Sequence, residues 1–154
     1  MTQNSSLNIS TDETLLNEDE AAELADELKA QLRAGNTPKA DAKHIQRMVA
    51  GLGDRRGLLR RTFAESLGIV GKAAVPALRT ALKEHSSETV RRAAAKTLKL
   101  VGDPSTLPDL LEALLNDPDP VVQGSAAGAM AIFGAEAVNL LLEVLINPNS
   151  TAMQ

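Results

Sequence analysis

The chain has 154 residues, 44% of them apolar, with two Phe and no Trp, Tyr or Cys. That supplies an aliphatic core, while the missing Cys excludes disulfides, thiolate metal sites and thiol nucleophiles, and the few aromatics leave little to stack on nucleic-acid bases. The net charge of -4 hides three blocks: eight acids and no base over residues 1–27, all sixteen Lys and Arg against five acids over 28–99, and seven acids with no Lys or Arg over 100–154; such blocks bear on partner choice, not on fold.

Residues 1–16, rich in Ser, Thr and Asn, read as a disordered leader without the basic and apolar regions of a secretory signal. No stretch approaches the roughly 20 apolar residues of a membrane span, so no membrane insertion and a cytoplasmic location are expected. Residues 17–53 read as two capping helices. In the first, Leu24, Leu28 and Leu32 recur at helical spacing between Asn17 as N-cap and Gly35 as stop. The second is expected to start after Pro38 and to run through Ile45, Met48, Val49 and Leu52 to Gly53.

Residues 54–146 hold three repeats of 31 or 32 residues. Their first helices align as Leu59, Phe63, Leu67, Val70; Val90, Ala94, Leu98, Val101; and Val122, Ala126, Met130, Phe133, one apolar stripe of a 3.6-residue period. Gly71, Gly102 and Gly134 follow. Second helices then align as Val75, Leu78, Leu82; Leu107, Leu110, Leu114; and Val138, Leu141, Leu145, with Pro76 and Pro108 in first-turn positions. A fixed period of this length means stacked helical hairpins. The expected fold is all-α, a short right-handed α-solenoid with one concave face for binding. Residues 147–154 repeat the register of Asp117-Pro-Asp-Pro and read as the start of a fourth repeat, cut short at Gln154. Because Leu140 to Ile146 is apolar on more than one face, that end is expected to continue, to be covered by another subunit or to self-associate.

The segment from Val90-Arg-Arg-Ala-Ala through Leu-Val-Gly-Asp-Pro to Leu107-Pro-Asp-Leu-Leu-Glu-Ala-Leu-Leu115 resembles the short HEAT-like repeat of phycobilin-lyase-type proteins, and the resemblance extends from Asp54 to about Ile146. Within that family, the acidic leader and the segment Asp117–Met130 are most similar to the branch implicated in phycobilisome degradation, and next to the chromophore lyase subunits. The resemblance implies phycobiliprotein subunits as partners. It implies a non-catalytic adaptor in phycobilisome disassembly or, alternatively, a phycobilin lyase or bilin-detaching subunit; a generic protein- or nucleic-acid-binding solenoid is the third reading. No cofactor is expected unless a linear tetrapyrrole (a bilin) is held without a covalent bond, and the partner could bring the protein to the cytoplasmic face of thylakoids.

The candidate binding residues are Arg55, Arg56, Arg60, Arg61, Arg91 and Arg92. Guanidinium forks in register could take bilin propionates or an acidic protein face; equally, Arg60 and Arg91 could form an internal ladder to Asp or to carbonyls, with Arg61, Arg92, Lys96 and Lys99 on a solvated face. His44 and His85 have no Ser–His–Asp or metal-ligand spacing around them and read as surface histidines. Asp103, Asp117 and Asp119 read as turn and cap residues. No catalytic residue, metal or nucleic acid is expected.

Overall fold

The structure, a computed structural model, describes residues 16–147, which form eight α-helices and no strand. In chain order they are α1 (Glu18–Arg33), α2 (Ala42–Gly51), α3 (Gly57–Val70), α4 (Val75–Glu84), α5 (Glu88–Val101), α6 (Leu107–Asn116), α7 (Pro120–Met130) and α8 (Ala135–Ile146). One-turn 3₁₀ segments, Gly71–Ala74, Pro104–Thr106 and Ala131–Phe133, join the helices of each repeat. First helices stack as α3 on α5 on α7, α4 packs on α6, and each of α4 and α6 also packs on the first helix of the next repeat. The fold is therefore the all-α solenoid that the period implied.

Local chemistry sets the helix limits. Asn17 and Glu20 form a reciprocal capping box on α1, the Glu20 N–H donating to Asn17 Oδ1 at 2.8 Å and the Asn17 N–H to Glu20 Oε2 at 3.1 Å. At the other end Gly35 takes φ 78°, and the Asn36 N–H reaches back to the Gln31 carbonyl at 2.9 Å. Helix α2 begins after Pro38, at Ala42, but Pro38 does not lie in its first turn as expected. Asp41 is its N-cap, accepting the His44 N–H at 3.1 Å, and Pro38 is buried in the connection. A side-chain cap oxygen outweighed a ring that only tolerates the first turn. The glycine ending each first helix has work to do: Gly71 (φ 75°, ψ -132°) and Gly134 (φ 55°, ψ -119°) reverse the chain in conformations that L-residues rarely adopt.

The stripes of the first helices face inward. Phe63, Leu67, Val90, Ala94, Leu98, Val122, Ala126 and Met130 are buried, with Leu59, Val70, Val101 and Phe133 half-buried at the ends. Gly51, the last residue of α2, is also a seat: a Cβ there would overlap the Phe63 ring, which is how α2 and α3 come together. The buried hydroxyls of Ser66 and Thr97 donate to carbonyls one turn back, at 2.8 and 2.7 Å, so they leave no orphan donor in the core.

Second helices repeat the pattern only twice. Val75, Leu78, Leu82, Leu107 and Leu110 are buried, but in α8 Val138 is 53% and Leu145 76% exposed and Leu141 is half-buried. Ala137 and Val144 are buried there instead, matching Ala74 and Ala81 in the first repeat and Thr106 and Ala113 in the second. Each second helix thus has an inward edge facing its own repeat and an outward edge facing the next; α8 shows the outward edge uncovered. The expected leader, save Leu16, and the expected start of a fourth repeat over residues 147–154, save Asn147, lie outside the described residues.

Candidate functional site

The arginines form a regular set of rungs. Arg60 Nη1 donates to the Asp54 carbonyl at 2.6 Å, Arg91 Nη1 to the His85 carbonyl at 2.8 Å, and Gln123 Nε2 to the Asp117 carbonyl at 2.9 Å. Donor and acceptor are six residues apart each time, at equivalent places in the three repeats. Each rung ties the start of a first helix to the turn before it. Arg91 also bridges repeats, its Nε 3.0 Å from Asp117 Oδ2, with the two side chains only 12% and 6% exposed. Arg92 reaches Asp119 at 3.1 Å, and Arg79, which was not singled out from the sequence, pairs with Asp109 at 2.7 Å.

At the other end, Arg56 grips Asp54 through Nε and Nη2, both at 2.8 Å, and donates to the Glu18 carbonyl. That guanidinium, more than any other contact, holds the Asp54 carboxyl below the usual carboxylate range. Arg55 pairs with Glu18 at 2.6 Å and Arg61 with Glu65 at 3.0 Å, both arginines largely exposed. All six candidate arginines therefore engage carboxylates or carbonyls of the chain itself, and Arg61 and Arg55 are the most accessible among them. Lys96 and Lys99 are exposed on α5.

A different feature is a concavity between helices. A cleft of about 810 Å³ opens between α2 and α4, floored by Ile45, Val49, Ala50, Ala77 and Ala81. The turns before α3 and α5 close one end with Asp54, His85 and Ser87, and Glu84 stands beside them. Its volume lies within the roughly 300–1,000 Å³ range of small-molecule sites. Among the described residues, Glu84 and Asp54 are the charged ones lining it, and no Lys or Arg does. Asp54 and His85, whose carbonyls receive Arg60 and Arg91, hold equivalent repeat positions. The arginine rungs thus fasten the cleft wall from behind.

His85 also lines a smaller, polar gap of about 250 Å³ with Lys83, Arg91, Asp109, Glu112 and Asp117. The Ser87 N–H donates to His85 Nδ1 at 3.0 Å, which places the ring proton of the neutral imidazole on Nε2. Burial, with a smaller contribution from the Arg91 charge, pushes the His85 pKa down. His44, by contrast, caps the start of α2 with Asp41, whose carboxylate lies 2.7 Å from Nδ1. Among the described residues no cluster of His, Asp or Glu could hold a metal ion. Sequence reasoning missed the cleft and His85's place in it. The available signal was register: His85 falls on the position of Asp54 and Asp117, polar in all three repeats.

Residues 42–131 and 75–153 match the family of HEAT repeats. This chain belongs to the HEAT-repeat family. It is 50% identical over 139 residues, 90% of its length, to a Bilin biosynthesis protein MpeU of Synechococcus sp. (strain WH8020), of which it covers 47%. It is 36% identical over 120 residues, 73% of its length, to an Uncharacterized phycocyanin operon protein Z of Pseudanabaena tenuis (strain PCC 7409), covering 59% of that protein. A match at 36% identity over 137 residues to Deoxyhypusine hydroxylase-B of Oryza sativa subsp. japonica covers 86% of the chain and 43% of the rice protein. The HEAT chain thus spans about half the length of the curated relatives it matches. No helix among the described residues is long and apolar enough to cross a membrane.

Proposed function

We propose that this HEAT-repeat chain handles bilins for phycobiliproteins in the manner of a phycobilin lyase, holding a linear tetrapyrrole without a covalent bond while a phycobiliprotein subunit docks. The observation that carries this reading is the 50% identity over 90% of the chain to a protein named for bilin biosynthesis. The name of the second relative, from a phycocyanin operon, supports the same pigment system. These names favour the attachment alternative over the disassembly adaptor that the resemblance placed first. The apolar cleft between α2 and α4 supplies a container of suitable volume. With no Cys in the chain, a nucleophile that forms a thioether to the pigment comes from the partner.

The test mixes the purified chain with free bilin, then adds an apo-phycobiliprotein subunit. A changed absorption spectrum on binding and a faster or more selective transfer to the subunit are expected. Unchanged pigment spectra, with co-migration of the chain and an intact antenna protein, would return the adaptor to first place.

A further inference from the structure

Resting on the bilin reading, we infer that Glu84 and His85 orient the pigment within the α2–α4 cleft by its pyrrole and lactam groups, and that its propionates are left outside. In this arrangement the Glu84 carboxylate accepts pyrrole N–H groups and His85 Nε2–H donates to the carbonyl of a terminal ring.

The polarity of the wall carries the inference. A linear tetrapyrrole presents N–H donors along its middle, a carbonyl on each end ring and two propionate carboxylates. A pocket built to bind it by the propionates would line its wall with Lys or Arg. This cleft has none, and Arg56, Arg60 and Arg91 are spent on Asp54, on carbonyls and on Asp117. Of the two lining carboxylates, Asp54 is taken by Arg56 at 2.8 Å and its side chain is nearly buried, whereas Glu84 is exposed at the last turn of α4. Glu84 is therefore the group left to meet N–H donors.

His85 is held for a donor role. The Ser87 N–H occupies Nδ1 at 3.0 Å, so the remaining ring nitrogen carries the proton. Arg91 secures the backbone that follows the ring, donating to the carbonyls of His85 at 2.8 Å and Ser86 at 3.1 Å while Asp117 of the next repeat clamps the same guanidinium. A donor fixed in this way loses little freedom on meeting an acceptor. Its neutral form is favoured by partial burial and by Arg91, which leaves a single ring N–H to give.

The experiment titrates free bilin and its dimethyl ester into the full chain and into E84Q and H85L, reading affinity and the long-wavelength absorption band, with helical circular dichroism to check the fold. Loss of the Glu84 charge is expected to weaken binding roughly tenfold and loss of the His85 donor roughly fivefold. E84Q should also lose the red-shifted band that a carboxylate beside the pyrrole nitrogens stabilises. The ester should bind within about threefold of the free acid, because no cation reads the propionates. Wild-type affinity and spectrum in both variants, or loss of binding on esterification, would overturn this assignment and leave the bilin reading intact. Absence of binding to the unaltered chain would remove the bilin reading itself, and the assignment with it.

Discussion

Helices α4 and α8 hold equivalent places in the first and third repeats and carry the same apolar spacing, yet their outward edges differ. Leu82 of α4 is 1% exposed because α5 lies over it; the matching Leu145 of α8 is 76% exposed. The inward edges, Ala74 and Ala81 against Ala137 and Val144, are buried in both. An apolar stripe thus states which surface is able to be buried, and the adjacent repeat determines whether it is. The arginines differ in what they reach: Arg91 is clamped by Asp117 across the repeat boundary, whereas Arg61 pairs with Glu65 on its own helix.

The largest break in this comparison should come from truncating one leucine on each side. Leu82→Ala removes a side chain that is 1% exposed and should cost about 3 kcal/mol in urea unfolding, while Leu145→Ala should stay within about 0.5 kcal/mol. Arg91→Ala leaves Asp117 nearly buried without its partner and should cost about 2 kcal/mol, against under about 0.5 kcal/mol for Arg61→Ala on the solvated face. A loss of similar size from Arg61→Ala would mean that its exposed pair with Glu65 is worth as much as the inter-repeat pair of Arg91 and Asp117.

Two glycines sharpen the contrast with opposite signs. At Gly51 an added methyl meets the Phe63 ring, so Gly51→Ala should destabilise by about 1 kcal/mol net, overpacking exceeding the gain in helix propensity. At Gly124, in α7, nothing lies within 4 Å of the new Cβ, and Gly124→Ala should stabilise by about 0.5 kcal/mol. Thermal unfolding of the pair reads both signs in one experiment.

The smallest effect is on acid stability. The Asp119 carboxyl is held below its ordinary range first by the Val121 N–H and then by Arg92, and that of Asp54 by Arg56. Their folded pKa values lie below the unfolded ones, so the stability they add is present above an unfolded value of about 3.9 and is lost as pH falls below it. Asp119→Asn keeps a cap oxygen but removes the titration; it should unfold with a shallower loss of stability between about pH 5 and 2. An unchanged slope would show that the Arg92 contact and the cap contribute no linkage.

Much of the fold was legible because its signals are local. The capping box of Asn17 and Glu20 and the stop at Gly35 need only a few adjacent residues, and the period of Leu59, Val90 and Val122 needs only counting. Pro38 misled because a proline permits a helix start without enforcing one, whereas Asp41 supplies an acceptor. The close contact of Gly51 with Phe63 was not legible because it is made by a different helix. The arginines were legible as a repeated set, but the acceptors of Arg60 and Arg91 are main-chain carbonyls, which every residue carries and no residue type marks.

The order of helices, the capping box of Asn17 and Glu20 and the apolar stripes of the first helices were determined by the sequence alone, since each follows from hydrogen bonding and periodicity over a short stretch of chain. Tertiary packing decided the rest. The gap between α2 and α4 exists because small side chains such as Ala50, Ala77 and Ala81 face each other across two hairpins. Only the stacking of those hairpins brings Glu84 and His85 to its edge, turns Arg60 and Arg91 into its supports and leaves the outward face of α8 open. Such relations depend on distances between repeats, and no spacing along the chain encodes them.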